Sequence, residues 1–155
     1  HRKTPEAAGK VTTCLEITAG QGTTLGYKLE HLAEIIDGVA EPDRLAVCID
    51  TAHALAAGYD LTSAAGARSF RKQIGATVGL TRLKVMHIND SKVERGRRVD
   101  RHAHIGQGHV ALEAFKVLCK SFRGPKILET PKEDDPETGR PMDRINIEKL
   151  LDLIK

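Results

Sequence analysis

Leu45-Ala46-Val47-Cys48-Ile49, followed directly by Asp50, is a short apolar run typical of a buried β-strand, and it stops on a side chain able to bind a metal ion. Three other apolar runs end in the same way, at Glu16, His87 and Glu129. Helical patterns alternate with these runs, which predicts an α/β fold with a parallel sheet. Because parallel strands end at one edge of a sheet, the four end residues are expected at a common rim.

The predicted elements form four units of β-strand and α-helix, which is half of an eightfold TIM-type barrel. The strands are expected at residues 11–15, 45–49, 83–86 and 126–128, after a polar opening segment that resembles the tail of a helix. The apolar faces expected on the helices are Leu25, Leu29, Leu32, Ile35 and Ile36; Ala67, Phe70 and Ile74; Leu112, Phe115 and Leu118; and Ile147, Leu150, Leu151 and Ile154. A short helical turn is expected at residues 51–60.

Composition is compatible with one globular domain over residues 1–155, since 40% of the residues are hydrophobic and 29% are charged. No apolar stretch approaches the roughly 20 residues that span a bilayer, and residues 1–5 lack an apolar signal core. We therefore expect an intracellular protein without membrane contact. The three cysteines form no CxxC pair and are expected to be structural thiols.

A cluster of basic residues follows the third predicted strand. The formal net charge of +3 is compatible with a polyanionic partner without requiring one. The cluster lies directly after residues 87–90, beside the proposed rim, so both a solvated loop and a phosphate-binding segment stay open. Its members are Lys92, Arg95, Arg97, Arg98 and Arg101.

Seven carboxylate and imidazole side chains are candidate metal ligands, since zinc accepts oxygen and nitrogen donors of these types. One tetrahedral ion cannot use all seven, so at least two ions are implied if most of them bind. One group would combine His53, Asp100 and His102, and the other would contain the four strand-end residues. The full set is Glu16, Asp50, His53, His87, Asp100, His102 and Glu129.

Each of these histidines taken alone could instead be a hydrogen-bonded structural residue. The strand-end carboxylates beside them favour the metal interpretation. Structural roles are expected for His1, His31, His104 and His109, because none of them falls at a strand end or within a ligand triplet. Clustered metal ions about 3.5–4 Å apart suit displacement reactions at phosphorus.

These motifs resemble the endonuclease IV family of apurinic/apyrimidinic endonucleases. The matching stretches include Asp50-Thr51-Ala52-His53 and Arg98-Val99-Asp100-Arg101-His102. They occur in family order and cover nearly the whole chain: residues 15–22, 48–60, 86–90, 98–102 with 106–108, and 127–130. The resemblance implies a zinc-dependent TIM barrel that cuts DNA on the 5′ side of abasic sites in base-excision repair, with this chain as its carboxyl-terminal half.

The resemblance also implies an assignment of ligands to three zinc ions. His53, Asp100 and His102 would bind one zinc, and Asp50, His87 and Glu129 a second. Glu16 would bridge the second zinc to a third, whose two histidine ligands in the family have no counterpart here. Ile17 departs from the family, which usually has Asn there, and this change could affect the orientation of Glu16.

The expected function is therefore zinc-dependent phosphodiester hydrolysis on DNA that contains abasic sites, with impaired activity for the 155-residue chain alone. Two alternatives stay open: a sugar isomerase or epimerase of the xylose-isomerase-like barrels, and a non-catalytic zinc-binding or DNA-binding module. A half barrel should expose its strand edges and inner face. We accordingly expect pairing with an amino-terminal half, or self-association.

Overall fold

The computed structural model describes residues 11–155, so the opening segment predicted as the tail of a helix lies outside the described residues. Six strands are described: β1 (Thr13–Glu16), β2 (Leu45–Asp50), β3 (Leu83–His87), β4 (Asp90–Ser91), β5 (His102–Ala103) and β6 (Lys126–Ile127). Five α-helices are described: α1 (Leu29–Asp37), α2 (Thr51–Ala57), α3 (Ala64–Thr77), α4 (Leu112–Ser121) and α5 (Met142–Ile154). Short 3-10 helices at Pro42–Arg44 and Leu80–Arg82 lead into β2 and β3.

Four of the strands form one parallel sheet in the order β1-β2-β3-β6, which confirms the predicted α/β class. Asp50 and His87 are register partners at the ends of β2 and β3, and His87 also pairs with Ile127 of β6. The pairing of β2 with β3 shifts register between Val47 and Cys48. The ends of all four strands therefore lie along one edge.

The helices cover the sheet through the apolar faces that form the core. Leu29, Leu32 and Ile36 of α1 are buried, as are Phe70 of α3 and Phe115 of α4. Burial of a side chain of this size contributes about 1.5–3 kcal/mol relative to leaving it exposed, so these faces hold the helices on the sheet. Among the described residues, no helix is long and apolar enough to cross a membrane.

Four predicted core positions are wrong. Leu25 precedes α1 and is 69% exposed, because it lies in the glycine-containing turn between β1 and α1, which includes Gly20, Gly22 and Gly26. Ile147 and Leu151 lie on α5 but are about half exposed, since this helix packs on α4 through another edge. Ile35 of α1 is also exposed. The predicted apolar stripes were wider than the faces that the neighbouring elements cover.

The segment between β3 and α4 contains an antiparallel hairpin that the sequence patterns did not predict. Asp90 of β4 pairs with Ala103 of β5, and Ser91 pairs with His102. The fully buried carboxylate of Asp90 accepts hydrogen bonds from the backbone N–H groups of Gly106, Gly108 and Val110 at 2.8–2.9 Å. This carboxylate fixes the chain that follows His102 and thereby sets where that histidine lies.

Candidate metal centre

All seven candidate ligands come together at the rim. Glu16, Asp50 and His87 are the last residues of β1, β2 and β3, and Glu129 lies two residues beyond β6. The other three residues reach the same place from neighbouring segments: His53 from the first turn of α2, His102 from the start of β5, and Asp100 from the chain just before β5. The ligand atoms of these candidates form two close groups. The first group is Asp50, His53 and His102, and the second is Glu16, Asp50, His87 and Glu129, so Asp50 belongs to both.

His53 and His102 face each other with their Nε2 atoms 3.4 Å apart. The Nδ1 atom of His53 lies 3.0 Å from the carbonyl oxygen of Ile17, and Nδ1 of His102 lies 3.1 Å from that of Glu129. A carbonyl oxygen only accepts, so each Nδ1 carries a hydrogen, and each Nε2 has a lone pair when its ring is neutral. Metal-binding histidines characteristically donate the N–H of their other ring nitrogen to an oxygen in this way.

Asp100 completes the neighbourhood of the two imidazoles. Its Oδ2 lies 3.2 Å from Nε2 of His53, and its Oδ1 lies 3.4 Å from Nε2 of His102. The backbone N–H of Asp100 donates to Oε1 of Gln21 over 3.0 Å, so the glycine-containing turn after β1 supports this part of the site. The two imidazole nitrogens and the Asp100 carboxylate are thus spaced so that they could all coordinate one cation.

The second group has His87 at its centre. Its Nδ1 lies 3.0 Å from Oε2 of Glu129 and 3.1 Å from Oε1 of Glu16, with Oδ2 of Asp50 at 3.8 Å. The same Asp50 oxygen lies 3.7 Å from Nε2 of His102. One hydrogen on Nδ1 cannot serve three carboxylates well, whereas one cation could. Asp50 is thus placed to connect the two groups.

The electrostatics of the rim follow from burial and from the proximity of acids and imidazoles. Burial raises the pKa of Asp50, because the carboxyl group is removed from water. Burial also opposes ionisation of Glu16 and His53, but their contacts outweigh it. The hydrogen bond from His53 and the charge of His87 lower the pKa of Glu16. Glu16 and the two aspartates raise the pKa of His53 to about 9.

Asn89 supports two of the candidate ligands and was not identified from the sequence. Its Nδ2 donates to Oδ2 of Asp50 over 2.6 Å, and its Oδ1 accepts from the backbone N–H of Glu129 at 2.8 Å. Thr51 Oγ1 accepts from the backbone N–H of Asn89 and donates to its carbonyl oxygen. The sequence signal that could have identified Asn89 is its position as a polar residue two places after the end of β3.

Cys48 is a second residue that sequence reasoning left outside the site. Its thiol could join Glu16 and His87 in a third metal-binding group. Burial, together with the charges of Glu16 and Asp50, raises the pKa of Cys48 to about 12. The thiol is therefore protonated at neutral pH. All three cysteines are free thiols.

The histidines expected to be structural include one buried network. His104 lies with Nδ1 3.1 Å from Nδ2 of Asn146 and Nε2 2.9 Å from Oε1 of Glu133. Asn146 also accepts from the backbone N–H of Ile105, so the network joins α5 to the segment after β5. His31 accepts from the backbone N–H of Gly26, His109 is exposed, and His1 lies outside the described residues.

Comparison with known proteins gives a consistent set of similarities. Residues 4–149 match the family described as xylose isomerase-like TIM barrel. The chain is 49% identical over 156 residues to a protein from Geotalea daltonii named probable endonuclease 4, covering 99% of this chain and 53% of that protein. It is 48% identical over 154 residues to the protein of the same name from Geobacter sulfurreducens, covering 97% and 50% of the two chains.

Among solved structures, the crystal structure of endonuclease IV from Thermus thermophilus has a TM-score of 0.74 with this chain. The two sequences are 34% identical, and the match covers 91% of this chain and 49% of that chain. The chain thus spans about half the length of the curated relatives it matches.

Proposed function

Because the chain belongs to the xylose isomerase-like TIM barrel family and gathers carboxylates and imidazoles at one rim, we propose that this rim holds zinc and takes part in DNA hydrolysis on the 5′ side of abasic sites. The resemblance to the endonuclease IV family is confirmed by the named relatives and by the similarity to a solved endonuclease IV. The zinc, the DNA substrate and the seven ligands are the parts that we propose.

The observation that carries the proposal is the paired arrangement of His53 and His102. Both rings are anchored through Nδ1 to carbonyl oxygens and direct their Nε2 atoms to the same point. If both rings are neutral, two Nε2 lone pairs 3.4 Å apart are unfavourable unless a cation or a shared proton lies near them. Zinc suits the donor set because it accepts imidazole nitrogen and carboxylate oxygen together.

The balance of charge explains why the proposed substrate requires metal at this rim. Four carboxylates converge here, from Glu16, Asp50, Asp100 and Glu129. A phosphodiester brought to this surface would meet like charge, which disfavours binding. Bound zinc would compensate these charges, polarise the phosphoryl oxygens and lower the pKa of a coordinated water.

Exposure of the side chains indicates from which side a substrate would approach. Asp50 is fully buried and the three histidines are 12–15% exposed, whereas Glu16, Glu129 and Asp100 are 34–52% exposed. The buried residues would hold the ions from beneath. The three more exposed carboxylates form the open side, where they would orient water and receive its proton as the phosphodiester bond is attacked.

A chimera provides the test of cleavage. In the Geotalea daltonii relative, the half that matches this chain would be replaced by residues 1–155, and the product incubated with zinc and duplex DNA containing one abasic site. We expect cleavage on the 5′ side of that site, and its loss in the same chimera carrying His102→Ala. A folded, zinc-loaded chimera that leaves the DNA uncut would refute the proposed reaction.

Metal content separates the proposal from the sugar-isomerase alternative. Elemental analysis of the zinc-dialysed 155-residue chain is expected to give about two ions per chain, since the rim offers two ligand groups. The chimera restores an entire barrel, for which the resemblance implies three ions, and one or two ions per chimera would favour the sugar enzyme instead. Nuclease silence of the folded, zinc-loaded chimera, combined with salt-sensitive DNA binding, would favour a non-catalytic module.

A further inference from the structure

A second polar site lies outside the metal centre. A cavity of about 430 Å³, here called the lateral cavity, opens between the segment before α1, the end of α2 and one side of α3. None of the seven candidate metal ligands lines it. Hydrogen-bond donors dominate its lining, which includes Lys28, Tyr59, Ser69, Gln73, Arg95 and Arg98.

The loop that carries the two arginines is fixed to the end of α2. Gly96 donates its backbone N–H to the carbonyl oxygen of Leu55, and Arg98 donates its own to that of Ala56, both at 2.9 Å. Nε of Arg95 donates to the carbonyl oxygen of Gly58 over 2.6 Å. These three bonds go to carbonyl oxygens at and just after the end of α2, so the loop is held against that end of the helix.

Arg98 adopts a backbone conformation that is uncommon for a residue with a side chain. Its φ angle is 54°, in the left-handed region. The guanidinium lies 4.5 Å from the centre of the Tyr27 ring, and the edge of the same ring contacts His31. Because Tyr27 covers one face of the planar group, the N–H groups around its edge stay available to an acceptor.

The charges that line the cavity favour an anion. Lys28, Arg95 and Arg98 oppose a single carboxylate, Asp60. Oδ1 of Asp60 already accepts hydrogen bonds from the backbone N–H and the hydroxyl group of Thr62. Tyr59 accepts through its hydroxyl oxygen from the backbone N–H of Leu29, which leaves its hydroxyl hydrogen to donate.

We propose that the lateral cavity binds a phosphate group through Arg95, Arg98 and Lys28. Guanidinium groups held in a fixed orientation suit the oxygens of phosphate. The volume leaves room for a sugar attached to the phosphate, within the usual size of small-ligand pockets. The shared chemistry is a phosphate ester, supplied either by a free mononucleotide or by the backbone of a nucleic acid. The site does not depend on the proposed zinc chemistry.

The test is a titration of the chelator-treated 155-residue chain, followed by the amide resonances of Gly58, Gly66 and Ser69. The ligands are inorganic phosphate, 2′-deoxyadenosine 5′-monophosphate and a short DNA duplex. We expect saturable shifts at these amides. Ser69→Glu, which places a negative charge at the cavity, and Arg98→Gly, which keeps the left-handed backbone, should each weaken binding about tenfold.

Arg97→Ala is the matched control, because it lowers the charge of the same loop by one unit although Arg97 does not line the cavity. Its effect should be less than about twofold. Binding of the phosphate or the mononucleotide would identify a free small molecule as a sufficient ligand, and binding of the duplex alone would identify the nucleic-acid backbone. Equal weakening by all three substitutions, or no shift at these amides with any ligand, would overturn the proposal.

Discussion

Nδ2 of Asn89 donates a hydrogen bond to Oδ2 of Asp50 over 2.6 Å, and both side chains are fully buried. Since Oδ1 of Asn89 also accepts from the backbone of Glu129, one amide positions two candidate ligands. Asn89→Ala should therefore lower zinc affinity about 10- to 100-fold, as losses of such supporting groups do. Competition with a chromophoric zinc chelator measures this change.

Asn146→Ala is the control for that substitution. Asn146 is equally buried but bonds to His104, Ile105 and Thr130, none of which is a candidate ligand. Both variants should lose about 1–3 kcal/mol of unfolding free energy, while only Asn89→Ala changes zinc affinity. A similar loss of zinc affinity in both variants would show that the effect comes from general destabilisation.

Removal of one anchored imidazole should reduce the number of bound ions. His102→Ala deletes an Nε2 ligand from the group that contains His53 and Asp100, and we expect zinc content to fall by about one ion per chain. His109→Ala changes an exposed histidine away from the rim and should leave the content unaltered. An unchanged zinc content in His102→Ala would remove this residue from the ligand set.

Gly108 lies in the chain after β5, where its backbone N–H donates to the Asp90 carboxylate. An added Cβ would stand 2.3 Å from the carbonyl oxygen of Ser91 and 2.5 Å from Oδ1 of Asp90. Gly108→Ala should thus cost about 1–3 kcal/mol of unfolding free energy, measured by urea denaturation. Gly75→Ala, within α3, has the side chain of Leu80 as its nearest neighbour at 3.3 Å and should change the unfolding free energy by less than about 1 kcal/mol.

Burial raises the pKa of the Cys119 thiol to about 11, although nearby Lys126 acts in the opposite direction. The folded chain thus keeps this proton at pH values where the unfolded chain loses it. The contribution to stability is complete below the unfolded pKa of about 9 and is lost as the pH rises towards 11. Relative to Cys119→Ala, the wild-type chain should lose about 1–3 kcal/mol across this window. Parallel stability curves for the two proteins would contradict this.

Much of the site was predictable because its residues fall at the ends of apolar runs. Asp50 and His87 terminate β2 and β3, and the alternation of strands with helices was enough to place such residues on one rim. The sequence could not show that Asp50 connects both ligand groups. That relationship depends on distances of 3.7 and 3.8 Å across different elements.

The hairpin of β4 and β5 was missed because each strand has only two residues and no apolar alternation. It depends on hydrogen bonds from distant backbone groups to Asp90, which local patterns do not encode. The errors at Ile35, Ile147 and Leu151 have another cause. Helical periodicity indicates which residues share a face but not how much of that face a neighbour covers.

The exposed strand β6 is relevant to the expected association. Both of its residues, Lys126 and Ile127, are exposed, and within residues 11–155 the strand pairs with β3 alone. An unpaired strand edge can take up a further strand. Self-association, or pairing with an amino-terminal half, stays a prediction for sedimentation measurements, and a stable monomer would count against it.

The most direct test of the account is an anomalous difference map, recorded at the zinc absorption edge, from crystals of the zinc-loaded chain. We predict one peak among His53, Asp100 and His102 and a second among Asp50, His87 and Glu129, with Asp50 facing both. A zinc-loaded crystal with no peak at this rim, or with zinc bound only elsewhere on the chain, would contradict the central claim.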